Sequence, residues 1–155
     1  MKTIVLYATK YGATREIAER IAAQIDGAII HDLKSTSPPL TEFDCVLLGS
    51  ALYAGSIRKE AKAFLAAHAS ELQGKKVGLF LSGLSAGEAE KAFNSNFPAE
   101  LLQTARAKEL LGGIYDPKQA GAAERFIMKV ITKGGAYTDT IDNEKIKVFA
   151  ETMQA

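Results

Sequence analysis

Three short runs of this sequence are apolar almost from end to end, and each gives way to a segment whose apolar residues recur every three or four positions. The runs are Thr3-Ile4-Val5-Leu6-Tyr7, Cys45 to Ser50 and Lys76 to Ser82. A strand with one wet face alternates in polarity, so a strand apolar throughout needs cover on both faces. The intervening segments supply that cover. Ile17, Ile21 and Ile25, with Ala18 and Ala22, make one amphipathic helix ending near Asp26-Gly27; Ala61, Phe64, Leu65 and Leu72 make a second. Phe93, Phe97, Leu101 and Leu102 mark a third helical stretch, and Ile146, Phe149, Ala150 and Met153 a last one that Asp142 can cap. Two more strands are expected at Ala28–Leu33 and Glu109–Tyr115, while the two prolines of Ser35–Pro39 impose a loop. The pattern predicts a three-layer α/β fold around a five-stranded parallel sheet. In such sheets ligands bind beyond the carboxyl ends of the strands, where strand order reverses. The loops after the first, third and fourth strands are therefore the places to look.

Composition narrows the class. With 155 residues the chain suits one domain, 1–155, and 47% hydrophobic residues provide a core without metals or disulfides. The lone cysteine, Cys45, sits in an apolar run, as a buried strand residue of a reduced compartment would. A formal net charge of +1 argues against a nucleic-acid binder and against long-range steering toward a strongly charged partner. Met1-Lys2 leads straight into the first strand, which reads as a chain without a targeting segment. No apolar stretch approaches the ~20 residues that span a bilayer, so a cytoplasmic protein is expected. His31 and His68 fall on a strand and a helix and form no acid–base or metal pair by spacing.

Between the first strand and its helix lies Thr9-Lys10-Tyr11-Gly12-Ala13-Thr14. Two hydroxyls, a glycine that permits close backbone approach and the free N–H groups of a helix start favour a bound phosphate. A P-loop would need G-x-x-x-x-G-K-[ST] and a dinucleotide fold G-x-G-x-x-G; the chain has neither, and a monophosphate fits better. The loop after the third strand, Ser50-Ala51-Leu52-Tyr53-Ala54-Gly55-Ser56, sets an aromatic ring beside a glycine, which suits a flat ligand. Ser82-Gly83-Leu84-Ser85-Ala86-Gly87 follows the fourth strand.

In position and residue type, Leu6-Tyr7-Ala8-Thr9-Lys10-Tyr11-Gly12-Ala13-Thr14 resembles the phosphate-binding motif of the flavodoxin family, and the order of elements matches across nearly the whole chain. The resemblance implies a flavodoxin-like fold with strand order 2-1-3-4-5 and FMN as cofactor. Thr9, Lys10, Tyr11, Gly12, Ala13 and Thr14 would hold the phosphate. Ser50, Ala51, Leu52, Tyr53, Ala54 and Gly55 would flank one side of the flavin, with Gly55 offering a rotatable peptide to N5. Ser82, Gly83, Leu84 and Ser85 would border the ring edge. The last loop lacks the second aromatic of many carrier flavodoxins, which leaves one flavin face open to a substrate.

About two dozen residues, 117–140, separate the fifth strand from the last helix, a long connection by ordinary priors. Within it, residues 124–133 read as a helix, with Phe126, Ile127, Val130 and Ile131 on one face and a basic row of Arg125, Lys129 and Lys133. Either it packs on the sheet with a solvated basic edge, or it docks on a membrane surface, a partner or an apolar anionic substrate. Glu124-Arg125-Phe126-Ile127-Met128-Lys129, Lys133-Gly134-Gly135 and Thr138-Asp139-Thr140 resemble the C-terminal part of flavodoxin-type, menaquinone-dependent protoporphyrinogen oxidases. That resemblance implies a quinone-linked oxidoreductase with a tetrapyrrole substrate and a peripheral contact with the inner face of the membrane through 124–133. The alternatives are a flavodoxin electron carrier serving a partner oxidoreductase and a flavin-free interaction domain on the same fold. A receiver domain would need acidic residues where Ala8-Thr9-Lys10 stands.

Overall fold

The computed structural model describes residues 1–131 and 135–155 and, for residues 130 and 131, the backbone alone. Period-two alternation in β1 (Thr3–Ala8) sends Ile4 and Leu6 to one side of the sheet and Val5 and Tyr7 to the other, and all of them are buried. β3 (Cys45–Tyr53) and β5 (Lys76–Ser82) repeat this division, with Val46, Leu48, Leu79 and Leu81 facing one layer and Leu47 and Phe80 the other. On the first side lie α2 (Lys59–Gln73), α3 (Ala89–Asn96) and α4 (Ala99–Thr104), which contribute Phe64, Leu65, Phe93 and Leu101. α1 (Ala13–Ala22) and α6 (Asn143–Gln154) cover the second with Ile17, Ile21, Ile146, Phe149 and Met153. The side chain of Asp142 accepts from the Lys145 N–H and caps α6 as the sequence predicts.

With β2 (Ile29–Asp32) and β6 (Ala107–Leu110) at the edges, the five parallel strands run β2-β1-β3-β5-β6. This is the expected 2-1-3-4-5 order of a three-layer flavodoxin-like sheet; the short β4 (Ser56–Ile57) lies off that path and pairs antiparallel with the end of β3.

The structure corrects several element boundaries, and α1 ends at Ala22, short of the predicted Asp26-Gly27. β6 is shifted toward the N-terminus of the predicted 109–115, because an edge strand tolerates charges such as Lys108 and Glu109. The apolar residues beyond it belong to another element. Gly112, at φ 95°, turns the chain, and β7 (Ile114–Tyr115) pairs antiparallel with β8 (Thr138–Asp139) in a separate two-stranded ribbon. The third helical stretch is two helices, since Phe97 precedes Pro98 and a residue before proline is pushed out of helical conformation. β2 is shorter than predicted and only half-buried, an edge rather than a strand covered throughout. Finally, β3 continues to Tyr53, so the expected loop 51–56 is mostly the tip of a hairpin. Ala54 (φ 51°) and Gly55 (φ 79°) form its turn, both left-handed as a two-residue hairpin favours.

α5 (Ala122–Ile131) occupies the stretch between β7 and β8, beginning two residues before the predicted helix. Of the predicted face and basic row, the side chains of Val130, Ile131 and Lys133 lie outside the description. Phe126 is 72% exposed and Ile127 53% exposed, so these two side chains of the face are not packed on the sheet. Among the described residues, no helix is long and apolar enough to cross a membrane.

Candidate functional site

The carboxyl ends of β1, β3 and β5 open into one cleft of about 730 Å³. Thr9, Lys10, Tyr11 and Ala13 line it from the first loop, Ala51, Leu52, Tyr53, Ala54 and Gly55 from the second, and Ser82, Gly83, Leu84 and Ser85 from the third. Residues far apart in the chain complete the walls: Leu110 and Ile114 to Asp116 on the β6–β7 side, and Glu124, Ile127 and Met128 from α5. Three expected site residues, Gly12, Thr14 and Ser50, stand behind this lining.

Their roles follow from their bonds. The Thr9 Oγ1 accepts the Gly12 N–H at 2.9 Å, which closes the first loop, and Gly12 takes φ 101° with open space where a Cβ would stand. α1 begins there with no side-chain cap, so the donors of its first turn are left for an external acceptor. The Thr14 hydroxyl is fully buried and lies 2.7 Å from Ser82 Oγ, tying the start of α1 to the end of β5. The Ser50 hydroxyl donates to Ala51 O and accepts the Arg58 N–H, joining β3 to the start of α2. Uncapped donors, a left-handed glycine and the positive end of a helix together fit a phosphate monoester.

The second loop has a brace that the sequence did not disclose. Asn96 closes α3 with its amide turned to the hairpin: Nδ2 donates to Gly55 O at 2.9 Å and to Ala92 O at 2.8 Å, and Oδ1 accepts the Ile57 N–H at 3.0 Å. The peptide carbonyl of Gly55 is thereby held in one orientation. Tyr53, half-exposed, presents its ring at the cleft with the Lys10 ammonium 3.7 Å from its centroid.

Glu124 is a second residue that spacing could not reveal, since its partners lie more than a hundred positions away. Its Oε1 accepts from Lys10 Nζ at 2.6 Å and from the Tyr11 hydroxyl at 2.8 Å, fastening α5 across the mouth of the cleft. Burial raises the Glu124 carboxyl, but the hydrogen bonds from Lys10 and Tyr11 outweigh it and hold the group below the usual carboxylate value of 4.5. Lys10 is raised above 10.5, chiefly by its bond to Glu124. A depressed acid stabilises the fold above its unfolded value, and a raised base does so below its own. The clasp is therefore in force between about pH 4.5 and 10.5 and is lost as pH falls through the lowered Glu124 value. Glu124→Gln is expected to lower stability at pH 7 by at most about 1 kcal/mol. In thermal melts the gap from wild type should close in acid well below pH 4.5; a gap independent of pH would show that the ion pair is not its source.

The other titratable candidates lie elsewhere. His31 sits on β2 with Nε2 3.1 Å from Ser35 O, and His68 on α2 with Nδ1 2.8 Å from Glu71 Oε1. Cys45 is buried in β3, and burial pushes its thiol up, away from a reactive thiolate. Among the described residues no cluster of histidine, cysteine or acidic side chains could hold a metal ion.

Comparison with known proteins places this geometry. Residues 4–142 match the family model described as flavodoxin domain. A curated relative, protoporphyrinogen IX dehydrogenase [quinone] of Escherichia coli (strain K12), is 26% identical, the match covering 90% of this chain and 84% of the relative. Among solved structures, oxidised flavodoxin 2 from Bacillus cereus superposes with a TM-score of 0.64 at 21% identity, covering 99% of this chain and 98% of that one. The rubredoxin oxygen:oxidoreductase of Desulfovibrio gigas superposes with a TM-score of 0.59 at 16% identity; the match takes in 98% of this chain but only 35% of that longer one.

Proposed function

The chain belongs to the flavodoxin domain family, whose cofactor is FMN, and from that premise we propose that residues 1–155 act as an FMN-dependent electron carrier serving a partner oxidoreductase. The observation that carries this reading is the single cleft into which the three loops converge, with the uncapped start of α1 at one side and Tyr53 at another. When bound, FMN supplies reversible uptake and release of electrons. The protein's part is to hold and orient. The first turn of α1 would take the phosphate, with Lys10 as a nearby cation. Tyr53 would stack on the ring, and the hairpin fixed by Asn96 would set the peptide nearest to it. Tyr11 and Tyr53 are partly exposed beside the cleft, and a docked partner could approach there.

A second reading has its own support. The curated relatives carry the name protoporphyrinogen IX dehydrogenase [quinone], and the match runs over most of both chains. On that reading the open side of the cleft takes a tetrapyrrole precursor and a quinone takes the electrons. α5, with Phe126 and Ile127 exposed beside Arg125 and Lys129, rests on an anionic membrane surface.

Two assays on FMN-loaded protein separate the readings. Rapid reduction by a flavodoxin reductase, without protoporphyrinogen oxidation in the presence of a menaquinone analogue, is the outcome expected of a carrier. Turnover of protoporphyrinogen with quinone would overturn the carrier reading in favour of the enzyme.

A further inference from the structure

α5 differs from the other α-helices in how it is held. Each of those sinks side chains into the core: Ile17 from α1, Phe64 from α2, Phe93 from α3, Leu101 from α4 and Phe149 from α6 are all buried. Among the described side chains of α5, residues 122–129, none is buried. Only Glu124 and Met128 are half-covered, and both line the cleft. Standing four positions apart, they share one face of the helix, and that face looks into the cleft. A ten-residue helix is marginal in water by itself and draws its stability from packing. For the described part of α5, that packing is at the cleft and not in the core.

A tie to the phosphate loop fastens the helix there. Glu124 Oε1 accepts from Lys10 Nζ at 2.6 Å and from the Tyr11 hydroxyl at 2.8 Å. The same ammonium lies 3.7 Å from the centroid of the Tyr53 ring. The tie therefore passes beside both groups assigned to the flavin, the loop that would take its phosphate and the ring that would stack on it. Its strength is that of two hydrogen bonds between partly exposed side chains, which break far more readily than a packed core.

We propose that α5 is a lid on the cofactor site, latched to the phosphate loop by Glu124, and that opening of this latch sets the rates at which flavin enters and leaves. This rests on reading the cleft as the FMN site. A ligand that enters and leaves only through the open form exchanges in proportion to how often the lid is open. Weakening the latch then speeds both directions and leaves the equilibrium affinity nearly unchanged.

Stopped-flow flavin fluorescence on Tyr11→Phe and Glu124→Gln tests this. Tyr11→Phe removes one bond of the latch without altering any charge. Its FMN association and dissociation rates should both rise by roughly 3- to 10-fold, with the dissociation constant within about twofold of wild type. Glu124→Gln also removes a negative charge near the phosphate site, so it is read with riboflavin, which has no phosphate; there too both rates should rise together. Trypsin cleavage after the exposed Arg125 and Lys129 requires α5 to open, and should be faster in both variants and slower with FMN bound. Unchanged rates, or an affinity altered through one rate alone, overturn the lid and leave the FMN reading standing. Cleavage in α5 that responds neither to FMN nor to the variants overturns it as well. Wild type without saturable FMN binding overturns both readings, and the wild-type titration alone tells that failure from the others.

Discussion

Gly112→Ala should cost the fold about 3 kcal/mol or more, the largest loss expected of any single methyl group added at the rim of the cleft. At φ 95° the residue is in left-handed territory, which alone costs an alanine roughly 1–2 kcal/mol. The new Cβ would also stand 2.0 Å from Thr140 O and 2.5 Å from Thr140 C, and those are main-chain atoms, not the movable end of a side chain. Neither strand can yield freely. Gly113 O accepts the Thr140 N–H at 2.8 Å, Leu111 O accepts the Asp142 N–H, and Gly112 O holds the third loop through Gly83. In thermal unfolding the drop in midpoint should be roughly 6–12 °C for a chain of this size. Gly87→Ala serves as the control, since nothing lies within 4 Å of its added Cβ and it should stay within about 0.5 kcal/mol of wild type. A loss below about 1 kcal/mol in Gly112→Ala would mean that the β6–β7 turn is not held as described.

Ala13→Asp should separate stability from affinity. Ala13 is the first residue of α1 and lines the cleft. A carboxylate there meets uncapped N–H groups and the positive end of the helix, which should stabilise the flavin-free protein by about 0.3–1 kcal/mol. The same charge occupies the place a phosphate dianion needs and repels it. FMN affinity is expected to fall by roughly 100-fold or more, equivalent to about 2.7 kcal/mol, while riboflavin, which carries no phosphate, should lose far less. Opposite signs for melting temperature and FMN affinity are the signature. Equal losses for FMN and riboflavin would place the phosphate somewhere other than the start of α1.

The layers were legible because the central strands β1, β3 and β5 are buried on both faces, and their apolar runs record it. At the edges that record fails: β6 keeps Lys108 and Glu109 in the open, and its apolar neighbours Ile114 and Tyr115 pair with β8 instead. The break at Phe97-Pro98 was readable from the proline alone, yet the apolar spacing masked it. The three loops were legible because each directly follows a strand. Asn96 and Glu124 were not, because each acts on the cleft through hydrogen bonds to residues distant in the chain, which no local pattern carries. Spacing also could not show that Thr14 spends its hydroxyl on Ser82 or that Glu124 holds Lys10.

Titration of the flavin-free protein with FMN and with riboflavin, followed by quenching of flavin fluorescence, tests the central claim most directly. The cleft as described predicts saturable FMN binding with a dissociation constant on the order of a micromolar or tighter, and riboflavin bound about 100-fold more weakly for want of the phosphate. Absence of saturable quenching at micromolar FMN, or equal affinity for the two flavins, would contradict it.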